Sequence, residues 1–355
     1  MTTSSVGLSG ARILVVGGAG FVGANLCRRL LDDRPETLII VDNLLSAEKS
    51  NIPESDRIEF VFGSITDDRI LAGLPDNLDL VFHLATYHGN QSSMHDPLAD
   101  HENNTLTTLK LLERIKHWRG LRKVVYASAG CTVAQKTFDA AAATMETDPV
   151  SLYLDSPYQI SKIIGELYGN YYFTRHGVPF VKARFQNVYG PGEILGAGQW
   201  RGTPATVWRN VTPTFVWKAL KGERLPVENG GIATRDFIYV ADIVEGLIAC
   251  AVTGKPGEVY NLASGVETSV KELAELVNEL TGNRAPIDLK PARDWDRSGK
   301  RYGDPAKARA ELGFAAGTAL RDGLANTIDW TRRHRDVIQG AIDRHARFMR
   351  DAGAA

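Results

Sequence analysis

Short apolar runs of strand length recur along the chain, and stretches with helical spacing separate most of them. Runs in which every residue is apolar are typical of parallel strands that are buried on both faces of a sheet. Strands that alternate with helices imply right-handed crossovers and helices on both sides of that sheet. The pattern therefore predicts an α/β fold built on a doubly wound parallel sheet, with ligands at the carboxyl ends of its strands. The predicted strands are 13–16, 38–41, 60–62, 80–85, 124–126 and 179–185.

Helical spacing is clearest in two segments. Apolar residues from Pro97 to Trp118 recur at intervals of three and four, which predicts one packed helix that includes Leu98. A second helix is predicted to begin at Pro157, with Ser156 as its N-cap, because both residue types are favoured at those positions.

A glycine-rich turn follows the first predicted strand and contains Gly17, Gly20 and Gly23. Glycines let a ligand phosphate approach backbone N–H groups, and the helix that follows offers further donors at its N-terminus. The second strand ends at Asp42, about 20 residues after the last glycine, where the dinucleotide fingerprint places a carboxylate for the ribose. Asn43 and the residues after it include no arginine for a 2′-phosphate, which favours NAD over NADP. In an alternative interpretation Asp42 caps a turn, and one side chain can do both.

On the second predicted helix, Tyr158 and Lys162 are four residues apart and share one face. An ammonium beside a phenol favours the phenolate and lowers its pKa, which would make Tyr158 a general base near neutral pH. The alternative is an ordinary Tyr–Lys pair on a helix surface. The pair alone therefore does not decide the function.

The composition limits the classes of protein that remain. A chain of 355 residues can bury a large core, and its net charge of −1 argues against nucleic-acid or membrane-surface binding. No apolar run approaches membrane-spanning length, and residues 1–10 lack the pattern of a signal peptide. The cysteines at 27, 131 and 250 lack metal-site spacing and cannot all pair, so we expect a reduced, cytoplasmic setting.

The histidines give weaker signals. His83 lies within a predicted strand, which favours a hydrogen-bonded core histidine over a catalytic one. His88 and His95 lie in a polar segment that is better placed for substrate, although the sequence pairs neither with an acid. No histidine and carboxylate spacing resembles a zinc site, so no metal is expected.

Taken together, these segments resemble the extended short-chain dehydrogenase/reductase family, specifically its NAD-dependent nucleotide-sugar epimerases and dehydratases of the UDP-glucose 4-epimerase type. The glycine turn, Asp42-Asn43 and Tyr158-x-x-x-Lys162 carry the resemblance. Further matching segments are 81–85, 184–192, 234–242, 259–265 and 304–308, so the resemblance covers nearly the whole chain in order.

The resemblance implies an enzyme that binds NAD on a Rossmann sheet. Tyr158 would exchange a proton with a sugar hydroxyl, Lys162 would also contact the nicotinamide ribose, and Ser128 completes the catalytic set. A hydride from the sugar carbon, typically C4, would pass to NAD+. The implied cofactor-binding residues are Gly17, Gly20, Phe21, Val22, Gly23, Asp42, Asn43, Ser64, Ile65, Leu84, Ala85 and Asn104, together with Tyr158 and Lys162.

The implied substrate is a nucleoside-diphosphate sugar, with uridine the commonest base in the family. Asn187, Arg235 and Arg293 would hold its pyrophosphate, because charge-assisted arginine contacts suit such an anion. Thr86 and Ala129 would lie against the sugar. The helices around 98–117 and 157–176 would form the family's usual dimer bundle, although their apolar faces could equally belong to the core of one chain.

The chain departs from the family at a position that matters for chemistry. Ala129 stands where a Ser or Thr usually bonds the reacting hydroxyl, and Ser128, Cys131 or Thr132 could substitute for it. Dehydratases carry an Asp-Glu pair where Gly130 and Cys131 stand, and decarboxylases usually carry a Glu at the place of Cys131. Ser64 replaces a usual Asp at the adenine edge.

Epimerisation agrees best with these differences. The alternatives are a dehydratase, a decarboxylase, a net reductase, or a catalytically weak NAD-binding regulatory protein.

The resemblance also predicts a division into two domains. Residues 11–183, with a return through about 234–264, would form the NAD-binding domain. Residues 184–233 and 265–345 would form a smaller α/β domain for the nucleotide sugar, with 196–208 as a lid. Trp200, Trp208 and Trp295 could stack on a base or sugar, or simply pack.

Overall fold

The computed structural model describes residues 7–130, 137–293 and 299–353, which contain fourteen strands. Cys131, Thr132 and Trp295 lie outside these residues. In chain order the strands are β1 (Arg12–Val16), β2 (Thr37–Asp42), β3 (Ile58–Phe62), β4 (Leu80–His83), β5 (Lys123–Ala129), β6 (Ala143–Thr144), β7 (Phe180–Phe185), β8 (Asn187–Tyr189), β9 (Pro226–Val227), β10 (Thr234–Tyr239), β11 (Val259–Leu262), β12 (Glu267–Ser269), β13 (Asp288–Leu289) and β14 (Tyr302–Gly303).

Helices connect most of these strands. They are α1 (Phe21–Asp32), α2 (Asp68–Gly73), α3 (Asn90–His95), α4 (Pro97–Asp100), α5 (Thr107–Ile115), α6 (Pro157–His176), α7 (Val211–Leu220), α8 (Val240–Val252), α9 (Val270–Thr281), α10 (Ala306–Leu312), α11 (Leu320–Arg333), α12 (Arg335–Asp343) and α13 (Ala346–Asp351).

The largest sheet has seven parallel strands in the order β11-β7-β5-β4-β1-β2-β3. The central strands of this sheet are buried on both faces, which explains their continuous apolar runs. In β1, Ile13 and Val15 pack into a core formed with α1 and α8, whereas Leu14 and Val16 pack into a core formed with α5 on the other face. The doubly wound parallel sheet predicted from the sequence is therefore confirmed.

The helix predicted from Pro97 to Trp118 is present but interrupted. It begins as α4, continues through a π-helical stretch, His101–Leu106, and ends with α5 at Ile115. Leu98 is 79% exposed, so the prediction that it packs in the core was wrong for this chain on its own. Leu98 belongs to the short first turn, one residue after Pro97, and lies outside the stripe of α5 that covers the sheet.

A second, smaller unit stands beside the carboxyl ends of the large sheet. Its three-stranded sheet has the order β12-β10-β8, and α7, α9 and α11 enclose a separate apolar core. The chain returns to the large sheet through α8, which packs on α1, and through β11. The predicted return at about 234–264 therefore begins later, at Val240, because β10 pairs with β8 and β12 instead. Helix α10 also packs on the large sheet, although the sequence assigned it to the smaller domain.

The predicted lid, 196–208, is held by the C-terminal helices. Trp200 stacks on Phe348 with ring centroids 5.3 Å apart, so it packs rather than facing a ligand. Arg344 donates a 2.7 Å hydrogen bond to Glu48, and the same carboxylate oxygen accepts a 3.0 Å bond from the backbone N–H of Gly198. These contacts tie the end of the chain to the segment that follows β2.

Candidate active site

The glycine turn after β1 is shaped to receive a phosphate. Gly17 has φ +86°, and a Cβ on it would lie 2.5 Å from the backbone nitrogen of Ala85. A Cβ on Gly23 would lie 2.2 Å from the carbonyl oxygen of Gly17, so no larger residue fits there. Gly20 is the N-cap of α1 and has no side chain to occupy the N-terminal N–H groups, which leaves that helix end suited to an anion.

Asp42 ends β2 beside this turn and is held by backbone donors. Its Oδ2 accepts a 3.0 Å hydrogen bond from the N–H of Ala19, and its Oδ1 accepts a 2.8 Å bond from the N–H of Leu44. Burial raises the pKa of Asp42 against the lowering effect of these bonds. The side chain therefore caps the local turn and also faces the cavity, as both interpretations of the sequence expected.

One cavity of about 670 Å³ runs along the carboxyl ends of the strands, a size typical of sites for small molecules and cofactors. The structure brings nearly all of the predicted site residues to its wall. They are Gly17, Gly20, Phe21, Val22, Gly23, Asp42, Asn43, Ser64, Ile65, Leu84, Ala85, Thr86, Ser128, Ala129, Tyr158, Lys162, Asn187, Arg235 and Arg293.

Asn104 is the exception. It is buried in the π-helical stretch, outside the lining of the cavity. Its Oδ1 accepts a 2.7 Å hydrogen bond from the N–H of Tyr87, and its Nδ2 donates a 3.2 Å bond to Ser161 of α6. The predicted cofactor contact is thus replaced by a structural one, in which Asn104 joins the loop after β4 to the helix that carries Tyr158.

Tyr158 and Lys162 lie on the first turns of α6, whose N-cap is Ser156 as predicted. The buried Lys162 donates a 2.9 Å hydrogen bond from Nζ to the carbonyl oxygen of Ala127 in β5. The same Nζ lies 5.9 Å from the ring centroid of Tyr158. This is the phenol and ammonium arrangement that the sequence predicted, and it is placed on the cavity wall rather than on an outer surface.

The hydroxyl of Ser128 is already engaged. It donates a hydrogen bond to Glu166, and both oxygens of that carboxylate accept bonds from Arg184, at 2.8 and 2.7 Å. All three side chains are buried. Ser128 thus belongs to a buried ion-pair cluster behind β5, which argues against its predicted catalytic role, while Ala129 presents only a methyl group to the cavity.

Part of the cavity lining, from the smaller unit and the segment around residue 300, is basic. Arg235 donates a 2.6 Å bond to the carbonyl oxygen of Gly299, and Arg293 pairs with Glu228 at 3.1 Å. Arg301, which the sequence did not single out, also lines this part, and its buried Nη1 has no hydrogen-bond partner among residues that the structure describes. No local motif surrounds Arg301, so only the fold identifies it. An anion such as a pyrophosphate fits this part.

His83 lies in the core and His88 lies at the cavity, the two locations that the sequence predicted. His83 is buried, its Nε2 lies 2.9 Å from Thr108 Oγ1, and burial lowers its pKa to about 3. His88 lines the cavity, and its Nε2 lies 3.1 Å from the Oδ1 of Asn210. His95 is exposed and lies outside the lining.

The sequence missed the partners of His88. The Nδ2 of Asn210 donates a hydrogen bond to the buried Glu193, and both residues line the cavity. Burial raises the pKa of Glu193 to about 7. Burial and then the positive charge of Arg209 lower the pKa of His88 to about 4. These residues are far apart in sequence, so no spacing could have connected them.

The family model described as the NAD dependent epimerase/dehydratase family matches residues 13–263, which is more than half of the chain. The chain belongs to the NAD-dependent epimerase/dehydratase family. The resemblance that the motifs predicted is thereby confirmed. NAD is accordingly the cofactor, and the residues fit it: the glycine turn has no room for side chains at Gly17 and Gly23, and the carboxylate of Asp42 lines the same cavity.

Several characterised proteins of this kind resemble the chain over most of its length. The crystal structure of the Bordetella bronchiseptica enzyme WbmF in complex with NAD+ and UDP is 58% identical, has a TM-score of 0.88, and matches 97% of this chain and 98% of that one. A UDP-glucose 4-epimerase of Mycolicibacterium smegmatis is 31% identical over 90% of this chain and 98% of its own. A dTDP-glucose 4,6-dehydratase of Streptomyces antibioticus is 28% identical over 91% of this chain and 93% of its own.

The described residues of this epimerase/dehydratase family member contain neither a metal-binding cluster nor a membrane-spanning helix. No group of three or more His, Cys, Asp or Glu side chains among them could hold a metal ion. None of the helices they form is both long and apolar enough to span a membrane. Cys27 and Cys250 are buried and carry free thiols.

Proposed function

We propose that this protein is an NAD-dependent 4-epimerase of a nucleoside-diphosphate sugar, with a UDP-sugar favoured. The observation that carries the proposal is the position of Tyr158 and Lys162 on one cavity that is also lined by the glycine turn, by Asp42 and by several arginines. The printed names of relatives agree with it, since WbmF was solved with NAD+ and UDP and the mycobacterial relative is a UDP-glucose 4-epimerase.

Each residue has a defined task in this reaction. When bound, NAD+ would supply the redox chemistry of hydride transfer from and back to the sugar carbon. Tyr158 takes the proton of the sugar hydroxyl and later returns it, while the charge of Lys162 favours the phenolate. Asn187, Arg235 and Arg293 hold the pyrophosphate, so the sugar is oriented by its nucleotide.

Elimination of water is disfavoured because the family's dehydratases carry an Asp-Glu pair where this chain has Gly130 and Cys131. Neither residue has a carboxyl group that could act as the acid in that step. Dehydration is the main alternative, because one of the relatives is a streptomycete dehydratase. Decarboxylation and net reduction are the next alternatives. Ala129 motivates a further alternative, a catalytically weak NAD-binding regulatory protein.

The test is incubation of the purified protein with UDP-glucose, UDP-galactose, UDP-N-acetylglucosamine and UDP-glucuronic acid, followed by NMR of the products. We expect inversion at C4, transient absorbance of bound NADH, and no net use of NAD. A product of changed mass, or stoichiometric use of cofactor, would instead support a dehydratase, decarboxylase or reductase. Retained NAD binding with no turnover of any sugar would support the regulatory protein.

The assembly and location are part of the same proposal. Leu98, Ile160, Leu167 and Tyr171 are exposed apolar side chains, three of them on α6, and they support a homodimer through the helices of this side. The free thiols of Cys27 and Cys250 support a reduced, cytoplasmic setting. Light scattering coupled to size exclusion would test the dimer, and a monomer at micromolar concentration would contradict it.

A further inference from the structure

The cavity wall that carries Ala129 offers the sugar no hydroxyl at that position, but it does offer a histidine. The ring of His88 meets the ring of Tyr158 edge-on, with centroids 6.1 Å apart and an interplanar angle of 76°. Both rings line the cavity. His88 is therefore placed beside the point where the sugar must meet the catalytic phenol.

The orientation of His88 is fixed from behind. Asn210 is the N-cap residue of α7, yet its side chain does not cap that helix. Instead its Oδ1 lies 3.1 Å from His88 Nε2, and its Nδ2 donates to Oε1 of Glu193. An asparagine at this position usually bonds the free N–H groups of the helix. Here its amide instead links His88 to Glu193, which indicates that the orientation of His88 matters.

This chain of contacts selects one tautomer of His88. Oε1 of Glu193 can accept a hydrogen bond from the Asn210 NH2 group whether or not Oε2 carries a proton. The NH2 group of Asn210 therefore faces Glu193, and its oxygen faces the imidazole of His88. Nε2 of His88 must then be the protonated nitrogen, and Nδ1 carries a lone pair. Nδ1 has no hydrogen-bond partner in the described ranges, and the ring borders the cavity.

We propose that His88 binds the sugar, with Nδ1 accepting a hydrogen bond from the hydroxyl or amide N–H on the carbon next to the one that reacts. Asn210 and Glu193 are positioning residues that hold this tautomer. The inference rests on the proposed function for the identity of the sugar. With C4 as the reacting carbon, the group that meets His88 is the 3-hydroxyl, because the 4-hydroxyl faces Tyr158.

Burial and the charges around His88 keep it neutral for this task. Burial has the largest effect, and Arg209, Arg201 and Lys162 also disfavour a second proton on the ring, so its pKa is lowered to about 4. A neutral acceptor next to Tyr158 does not compete for the proton that the phenol exchanges with the reacting hydroxyl. Sugars that lack a donor at the neighbouring carbon would leave Nδ1 unpaired and bind less well.

The test measures binding without turnover, in NAD+-loaded protein carrying Tyr158→Phe. We expect UDP-glucose to bind about ten- to hundredfold more tightly than its 3-deoxy analogue, the effect of one buried hydrogen bond. In the double variant with His88→Phe the two ligands should bind equally, while UDP alone binds as before. His88→Asn, whose oxygen can reach the place of Nδ1, should restore part of the preference. His95→Phe is the matched control and should leave the preference unchanged.

Two results would overturn the inference. One is a preference for the 3-hydroxyl that survives His88→Phe, and the other is the absence of any preference before His88 is changed. Nitrogen-15 NMR of histidine-labelled protein would report the tautomer of His88 and the chemical shift of its Nδ1. Neither should respond to the sugar if His88 only packs against its neighbours. We expect an Nε2–H tautomer at His88 whose Nδ1 signal shifts with UDP-glucose but not with UDP, and a tautomer mixture after Asn210→Ala.

The binding comparison separates the two proposals. If the wild-type protein epimerises no sugar but the His88-dependent preference is present, the proposed function fails and the sugar contact stands. If epimerisation is found and the preference does not depend on His88, the contact fails and the proposed function stands.

Discussion

Lys162 donates a 2.9 Å hydrogen bond from its buried ammonium to the carbonyl oxygen of Ala127. The contact joins α6 to the end of β5, so the ammonium is held at the carboxyl edge of the large sheet instead of moving with a flexible side chain. Because the Tyr158 ring lies 5.9 Å from this charge, the geometry of the proposed base is set by a strand and a helix together.

Removal of the phenolic oxygen should abolish most of the chemistry and spare binding. For Tyr158→Phe we expect kcat to fall between about a hundredfold and ten-thousandfold, the usual range for loss of a positioned acid–base group. Affinity for UDP should be unchanged by isothermal titration calorimetry, and NAD should still bind. Tyr171→Phe is the matched control, since Tyr171 is an exposed residue on the same helix. Equal losses in the two variants would contradict the assignment.

A methyl group in the glycine turn should weaken cofactor binding. For Gly23→Ala we expect NAD affinity to fall about ten- to hundredfold, because the new Cβ would lie 2.2 Å from the Gly17 oxygen and overpacking of this kind costs about 1–3 kcal/mol. In the control Gly340→Ala the added Cβ meets no atom within 4 Å, so NAD binding should not change. Fluorescence titration with NADH would measure both, and unaltered affinity in Gly23→Ala would refute the predicted contact.

Arg301, whose Nη1 has no hydrogen-bond partner among the residues that the structure describes, should contribute to nucleotide binding. We expect Arg301→Met to weaken UDP binding by about ten- to hundredfold, as expected for loss of a charge-assisted hydrogen bond, with NAD binding unaffected. Arg321→Met serves as the control, because Arg321 pairs with Glu279 on an exposed surface. UDP affinity that is the same in both variants and in the wild-type protein would show that Arg301 does not contact the anion.

The buried carboxyl of Glu193 should make stability depend on pH. Its pKa is raised to about 7 in the folded protein from an ordinary value near 4.5, so the folded state holds a proton that the unfolded state releases. The corresponding stability is present below about pH 4.5 and is lost as the pH rises to about 7. Glu193→Gln keeps an acceptor for Asn210 and cannot ionise.

We therefore expect Glu193→Gln to become more stable than the wild-type protein as the pH rises, by up to about 3 kcal/mol at pH 8, with a much smaller difference at pH 5. Urea unfolding at the two pH values would measure this. A difference in unfolding free energy that does not change with pH would mean that Glu193 titrates normally.

Most of the fold could be predicted because its signals are local. Each strand of the large sheet near β1 reads as an unbroken apolar run, since neighbouring residues such as Ile13 and Leu14 enter cores on opposite faces. The glycine turn, Asp42, and the Tyr158–Lys162 pair are equally local, because each depends on spacing within one strand–helix unit. The structure brings all of these to one cavity.

What the sequence could not reveal depends on contacts between distant segments. Ser128 is a catalytic candidate by its place in the sequence, but its hydroxyl donates to Glu166, which in turn accepts from Arg184. Asn104 matches a family position, but its amide oxygen accepts from the N–H of Tyr87 and its NH2 group donates to Ser161. The contact of His88 with Asn210 spans 122 positions, and no pattern of residue types encodes it.

The link between Glu48 and Arg344 has a practical consequence. No residue beyond Arg301 in the described chain lines the cavity, yet Arg344 anchors the segment whose neighbours, Leu45 and Ser46, do line it. Clipping of the last helices by a protease would remove the Arg344 contact with Glu48, so we expect it to loosen the segment beside the cavity. Protein for cofactor measurements is better handled with that end left untouched.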